Sequence, residues 1–499
     1  MRLEGLYLYF GQGLDEAANE KARARLHALL RRPLPGVTDL ILGYASLYIE
    51  YDAERVTRRR VERWARAAEE ASPPPGRKVE IPVVYDGADL KAVAAWAGLS
   101  VDEVIRRHAG RSYRVFALGF TPGFPFMGVV DPVLQKPRLP VPRPEVPPHA
   151  VGIAGPQTGI YPLKSPGGWN LIGRARVRVY DPARAEPFLL APGDEVRFIP
   201  DAGAVPDEPE VLELLPEAPR YPFLVLEKPG LLDLVLDRGR FLAGRFGLAR
   251  SGPLDPYSAA LANRLLGNPP EAAVVEVNLK GPELVALKAG VVGFAGYGFL
   301  LFVNGEAVSP GRAVRLSAGD RLVFRPHGRG ARAYLALPGG VEHGAFLGSR
   351  SVDLRGRIGR PLRPGDVLGS LRLPANARPR AFVPWPFEEG VVRLRVRPGP
   401  QATPEAVRAL TGRAFTVERA DRMGLRLQEG GVPGGEVTSE AVPLGAVQVP
   451  PGGRPMLLLA DRGTLGGYAK PLVVDPRDLW RAGQLRTGDR LRFVLDFGP

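Results

Sequence analysis

The sequence predicts a mainly β protein, in which a small N-terminal α/β unit precedes a series of barrel-like β units. The 499 residues include 61 glycines and 53 prolines, far too many for helical bundles, and beyond residue 78 the apolar runs are short and cut by turn residues. Only the beginning of the chain carries sustained helical periodicity. In the remainder one pattern, a glycine pair followed by a Gly-Asp step, recurs three times.

Residues 15–32 (DEAANEKARARLHALLRR) and 54–71 (ERVTRRRVERWARAAEEA) place apolar or alanine positions three to four apart, and LILGYASLYIEYD between them has strand character. SPPPGR at 72–77 then breaks the pattern as a stiff linker. One more helical stretch, near 88–108, precedes a succession of short strands. Further breaks at LLPEAPRYPF (214–223) and ANARPRAFVPWPFEEG (375–390) divide the chain into four units, 1–76, 77–212, 220–375 and 385–499.

The repeats mark three of these units. Gly167-Gly168-Trp169 leads to Pro192-Gly193-Asp194, Gly339-Gly340 to Pro364-Gly365-Asp366, and Gly466-Gly467-Tyr468 to Thr487-Gly488-Asp489, with glycine-to-glycine gaps of 25, 25 and 21 residues. Each Gly-Asp step suits a tight turn into a closing strand. A further Gly-Asp turn, SAGDRLVFRP at 317–326, lies inside the third unit. The glycines themselves read first as turn residues, and Trp169 and Tyr468 as core or rim aromatics.

Composition narrows the chemistry. A chain that is 45% hydrophobic and 24% charged has ordinary globular content, and without cysteine it has no disulfide, thiolate nucleophile or cysteine-held metal. The net charge of +14 comes from scattered arginines (only nine of the 67 basic residues are lysine), with no dense basic run, so nucleic-acid binding is not expected. No run of about 18 apolar residues suggests a membrane span, and the cytoplasm is the expected location. There is no Walker loop, GxGxxG after a strand, HExxH or GxSxG elbow, the five histidines (27, 108, 149, 327, 343) are dispersed, and no Met-Lys-Met offers a biotin attachment site. No metal site is expected.

Residues 81–198 contain IPVVYDGADL, HAGRSYRVFALGFTPGFPFMG, PRLPVPRPEVPPHAVGIAGPQTGIYPLKSPGGWNLIGRARVRVYDP and LLAPGDEVRF. This closely resembles the allophanate hydrolase subunit 1 family, which includes the 5-oxoprolinase B subunit and a Kip-type histidine-kinase inhibitor. His149-Ala150 stands where the family pattern has Gly-Ser. Residues 223–498 resemble the subunit 2 family, with the 5-oxoprolinase C subunit and the Kip-type antagonist, through DRGR (237–240), SGPLDPYSAALANRLLGN (251–268), YLALPGG (334–340), LGSRS (347–351), DRMGLRL (421–427), TSEAVPLGAVQVPPGG (438–453) and DRGTLGGYAKPLVV (461–474). Asn278 replaces an expected Thr. The chain is thus similar to a fusion of two normally separate subunits, and both families resemble the carboxyltransferase domain of urea carboxylase.

This resemblance implies three cyclophilin-like β-barrels behind the α/β domain. It also implies ATP-dependent opening of the lactam 5-oxoproline to glutamate, with a separate LamB/YcsF-type A subunit. Two other activities are compatible with it: non-catalytic binding to a histidine kinase, and a carboxyltransferase-like role in a urea amidolyase or allophanate hydrolase system served by a biotin-bearing partner. A regulator permanently tied to its own antagonist has little left to switch. The ATP site is not identifiable from any motif. Phosphorylation of a lactam oxygen needs cations over the oxygens and a base that positions water. Arg422 or Lys470 is expected to supply the charge and Asp461 or Glu440 the base, with Gln157, Thr158, Tyr161, Trp169, Arg174, Ser439, Gln448, Thr464 and Tyr468 as substrate-binding candidates around the first and last glycine pairs.

Overall fold

The computed structural model describes residues 1–67, 72–374 and 380–496. Strand outweighs helix, 37% to 16%. At the N-terminus a three-stranded antiparallel sheet, with Ser46–Asp52 between Leu3–Tyr9 and Val37–Leu42, carries the helices Glu16–Arg31 and Arg58–Ala67. The first helix starts where the Asp15 side chain accepts from Ala18 N, and its alanine and leucine face is buried. Residues 68–71 at the end of the second predicted helix lie outside the described residues. The helical stretch near 88–108 is two helices, Leu90–Ala97 and Val101–Ala109, because Gly98 takes a left-handed cap at φ +66° and Ser100 caps the next helix.

A closed barrel follows. Its strands run in the order Asn170–Ala175, Lys78–Val84, Glu195–Pro200, Ser112–Leu118, Pro125–Gly128, Gln157–Ile160, Ala150–Ala154. The chain's last segment repeats this connectivity strand for strand. In both, the first strand runs parallel to the last (Lys78–Val84 with Glu195–Pro200; Val391–Pro398 with Arg490–Leu495). Pairing of Val391–Pro398 with Leu465–Val474 closes the second ring, and Glu436–Ala441 hangs on its rim as Arg143–Val146 does on the first. Alternation fixes the faces, as in Glu195–Pro200, where Val196 and Phe198 are fully buried between exposed residues.

The middle unit is arranged differently, as sheets of six and five strands around a core that includes Phe223, Val275, Phe294 and Leu335. Its closing strand, Val367–Gly369, is antiparallel to the opening strand Pro222–Lys228. Gly339 and Gly340 form a turn with φ of +78° and +103°, whereas the other two glycine pairs lie at strands. The strand-for-strand repeat thus relates the first and last barrels, while the middle unit has a connectivity of its own.

What recurs everywhere is the Gly-Asp turn, present four times. At 191–194, 317–320, 363–366 and 486–489 the Asp carboxylate accepts from the backbone N–H three residues earlier, and the glycine, with φ between +89° and +97°, donates its N–H to a facing strand. That φ range is why glycine stands before each Asp.

Residues 375–379, within the predicted break at 375–390, lie outside the described residues. No helix among the described residues is long and apolar enough to cross a membrane.

Candidate functional site

The first and last barrels meet along one buried seam. Tyr161 and Trp169 from the first barrel, Ala441 and Leu465 from the last, and Ile41, Tyr44 and Tyr48 from the N-terminal sheet share a single core cluster. Within each barrel the glycine pair clears space beside this seam by removing side chains from strands. A Cβ on Gly167 would lie 2.8 Å from the Tyr161 ring, and one on Gly466 would lie 2.7 Å from Gln448 Nε2. Close packing, not a turn, is the reason for glycine at these two positions. Arg138 of the first barrel crosses to Glu436 of the last at 3.6 Å.

Beside the seam lies a buried ion pair. Lys470, fully buried on the strand Leu465–Val474, places Nζ 3.0 Å from Glu440 Oε1. Gln401 donates to the same carboxylate oxygen at 2.6 Å and Tyr9, from the N-terminal sheet, to the other at 3.1 Å. Burial pulls the Lys470 amine below the usual lysine range, although Glu440 works the other way. Gln448 Nε2 and Thr464 Oγ1 are buried without a protein partner among the described residues. Ser439 Oγ and Tyr468 flank the same strands, with a Gly467 Cβ position 3.3 Å from the serine oxygen. Six predicted residues, Lys470, Glu440, Gln448, Thr464, Ser439 and Tyr468, therefore belong to one region. An ammonium, a carboxylate and hydrogen-bonding groups in a dry seam can polarise a carbonyl and accept a proton.

Arg422 and Asp461 lie in a different cluster, where the last barrel meets the middle unit. Arg422 grips Asp461 through Nε at 2.8 Å and Nη2 at 3.1 Å, Glu276 through Nη1 at 2.5 Å, and Gly252 O at 2.7 Å. Burial opposes its charge, but Asp461 and Glu276 together hold it firmly protonated. Burial also raises the Asp461 carboxyl, against the pull of Arg422. With the guanidinium and both carboxylate oxygens of Asp461 committed, the pair is a clamp between units.

The first-barrel candidates separate further. Gln157 accepts from Tyr44 OH at 2.6 Å, next to the seam. The Thr158 hydroxyl donates to Gly152 O and lies 3.0 Å from His108 Nε2, whose Nδ1 lies 2.8 Å from Tyr85 OH. This network makes His108 neutral, with Nε2 as donor, and burial pushes its pKa down to about 3. Arg174 points away from the seam to a half-exposed pair with Asp86. Tyr9 and Gln401, absent from the sequence-based candidates, carry no motif; only the fold brings Tyr9 to a glutamate 431 residues away.

Residues 2–190 match the family described as carboxyltransferase domain, subdomain C and D, and residues 246–495 match carboxyltransferase domain, subdomain A and B. The chain is 51% identical to the 5-oxoprolinase B subunit of Escherichia coli O157:H7 over 149 residues, 29% of this chain and 68% of that protein. It is 29% identical to the 5-oxoprolinase C subunit of Escherichia coli K12 over 288 residues, 54% of this chain and 90% of that protein. Among solved structures, TTHA0988 is 56% identical, with a TM-score of 0.95 over 99% of this chain and all of that one. Kluyveromyces lactis urea carboxylase is 28% identical with a TM-score of 0.51, covering 56% of this chain but only 28% of that protein. Both halves thus match one family in complementary pieces, and the chain belongs to the carboxyltransferase-domain family, with subdomains C and D ahead of A and B in a single polypeptide.

Proposed function

We propose that this chain is the fused B and C component of an ATP-dependent 5-oxoprolinase, opening 5-oxoproline to glutamate together with a separate LamB/YcsF-type A subunit. The observation that carries this reading is the complementary match of the two halves to proteins named as the B and C subunits of 5-oxoprolinase. The seam supports it, because one apolar cluster draws on both halves and the Lys470–Glu440 pair lies beside it. Nucleotide binding belongs, in this reading, to the A subunit.

The residues here supply positioning and charge. Lys470 Nζ stabilises negative charge growing on the lactam carbonyl oxygen. Glu440, already an acceptor for Gln401 and Tyr9, takes a proton from the attacking water. Gln448 Nε2 and Thr464 Oγ1 donate to substrate oxygens. Arg422 and Asp461 act at a distance, by holding the loops of the last barrel against the middle unit.

The test is reconstitution of the chain with its A subunit, ATP and 5-oxoproline, followed by glutamate release. Lys470→Ala and Glu440→Gln are each expected to lower kcat by about 10²-fold or more. Full activity in both variants removes the seam as the catalytic site. The likeness to urea carboxylase favours one second reading, carboxyl transfer from a biotin-bearing partner to urea; a biotin carrier and urea in place of the A subunit and 5-oxoproline test it.

A further inference from the structure

The outer face of the last barrel carries charge that its own fold does not balance. Val391–Pro398 runs beside Arg490–Leu495 in a register that sets Arg393 directly opposite Arg492. Both are exposed, as is Arg490. The next strand, Ala414–Ala420, puts only Ala414 and Thr416 opposite Arg492 and Arg490. One strand further on, Arg419 stands opposite Arg426, and these two are exposed as well. Like charges set opposite one another across strands destabilise a sheet.

The first barrel shows the alternative. Its equivalent strands pair in the same register, where Lys78 faces Glu195 and Glu80 faces Arg197, so each charged pair is one of opposites. Position for position, Arg393 and Arg492 replace Glu80 and Arg197. The same connectivity accommodates either pattern, so the fold itself does not call for facing arginines.

Nearby acids do not neutralise them. Glu418 is paired with Arg454, Asp421 with Arg419 and Asp489 with Arg329. Glu388 lies 3.7 Å from Arg481 and accepts from the backbone N of Arg393, while the Glu429 carboxylate accepts from Thr416 N and Oγ1. The side chains of Arg393, Arg426, Arg490 and Arg492 make no hydrogen bond or ion pair among the described residues. Glu389, exposed in the linker before the first of these strands, is left as an unpaired acid against four unpaired arginines.

Spacing and surroundings select the partner. Arg490 and Arg492 are alternate residues of one strand and so lie about 6.6 Å apart, with Arg393 about 4.8 Å to the side. Carboxylates on alternate residues of an extended acidic segment repeat at the same interval, and each guanidinium can take a carboxylate through two parallel hydrogen bonds. Val391 and Val494 beside the arginines are partly exposed and give a polypeptide apolar ground to cover. A nucleic acid strand would find no ring on which to stack a base, because Phe415 and Phe493 of these strands are buried. We propose that this arginine face is a docking surface for an acidic segment of a partner protein, one with Asp or Glu at alternate positions. The surface does not depend on the activity proposed above.

The probe is a fluorescently labelled peptide of alternating Glu and Ser, titrated into the full chain by anisotropy. Saturable binding is expected, weakening at least about tenfold from about 0.05 M to about 0.5 M salt as the exposed charges are screened. Arg426→Glu with Arg492→Glu turns both like pairs into pairs of opposites. Its urea midpoint should match or exceed that of the wild type, while its affinity for the peptide falls at least about tenfold. Arg63→Glu with Arg66→Glu removes the same charge from the exposed side of the helix Arg58–Ala67 and should bind as the wild type does. An equal loss in that control would show diffuse attraction to a basic protein, and a lowered urea midpoint in Arg426→Glu/Arg492→Glu would show that the arginines serve the fold. Either result overturns the proposal, as does the absence of saturable binding. Tighter binding of oligothymidine than of a peptide of equal charge would make the face a nucleic-acid surface and overturn it too.

Discussion

Gly119→Ala probes the seam directly. A Cβ at residue 119 would lie 2.7 Å from Leu465 Cβ and closer still to Cγ and Cδ1 of that side chain. Carbon contacts are comfortable at about 3.5–4.0 Å. Rotating the leucine relieves the outer contacts but not the one with its Cβ, which is fixed to the backbone of the last barrel. The two barrels must therefore part by about 1 Å, and overpacking of this kind costs about 1–3 kcal/mol. Leu465→Ala alone empties a site that is 2% exposed, among Phe116, Phe124, Tyr161 and Trp169, for about 2–5 kcal/mol. In the double variant the new methyl occupies space the leucine has left, so its loss should fall short of the sum by about 1–2 kcal/mol. Trp169 reports the seam, because its ring sits edge-on to Phe124 at 5.4 Å; denaturant unfolding followed by tryptophan fluorescence gives the four stabilities. Single losses that add to within about 0.5 kcal/mol, or a neutral Gly119→Ala, would refute the claim that the halves pack through these atoms.

Other perturbations have equally definite outcomes. Arg422→Lys replaces a fork that reaches Asp461, Glu276 and Gly252 O by a single ammonium, and should destabilise the chain by about 3–5 kcal/mol in urea unfolding. Burial, with Glu50 adding to it, raises the Asp39 carboxyl to about 7; a raised acid favours the fold below its unfolded value of 3.8 and loses that contribution as pH climbs through 7. Asp39→Asn, which keeps an acceptor for Gly244 N, should flatten a fall of a few kcal/mol between pH 4 and 7 in urea midpoints. His108 gives the opposite slope: neutral in the fold with a pKa of about 3, it contributes fully above pH 6.5 and progressively less toward pH 3. His108→Gln should remove that acid sensitivity while Asp39→Asn leaves it in place.

The sequence makes part of this legible. The N-terminal helices show because their apolar residues repeat at the helical period, and the β character shows because glycine and proline interrupt every longer run. The Gly-Asp turn is visible because its requirement is local, a left-handed glycine and a carboxylate three residues from the N–H it accepts. The glycine pairs mislead for the same reason. A doublet looks alike whether it turns the chain, as Gly339-Gly340 does, or clears space for a ring, as Gly167 does for Tyr161. Pairing is the least legible property. Arg422 as a catalytic cation and as a clamp have the same local sequence, and the difference rests on Glu276, 146 residues away. Arg240 lies within the DRGR stretch, but its hydrogen bond to Ser351 O, 111 residues away, is visible only in three dimensions.

The strained backbone shows where these elements converge. Of the eight non-glycine residues with positive φ among the described residues, Phe120, Leu242, Ser251, Leu347 and Arg357 lie on loops where the three larger units and the N-terminal sheet come together. The contacts between these loops are direct. Leu242 N donates to Thr38 O, Ser251 N to Ala460 O, and Arg355 to Phe120 O and Asp461 O. Each such conformation costs on the order of 1–3 kcal/mol, so five together survive only where other interactions over-determine the loops. Those interactions are present: Arg422 with Asp461 and Glu276, and Arg250 with Glu50 at 3.1 Å across the two halves. Charged clamps thus sustain strain at the junction, and the junction is also where unpaired polar groups remain.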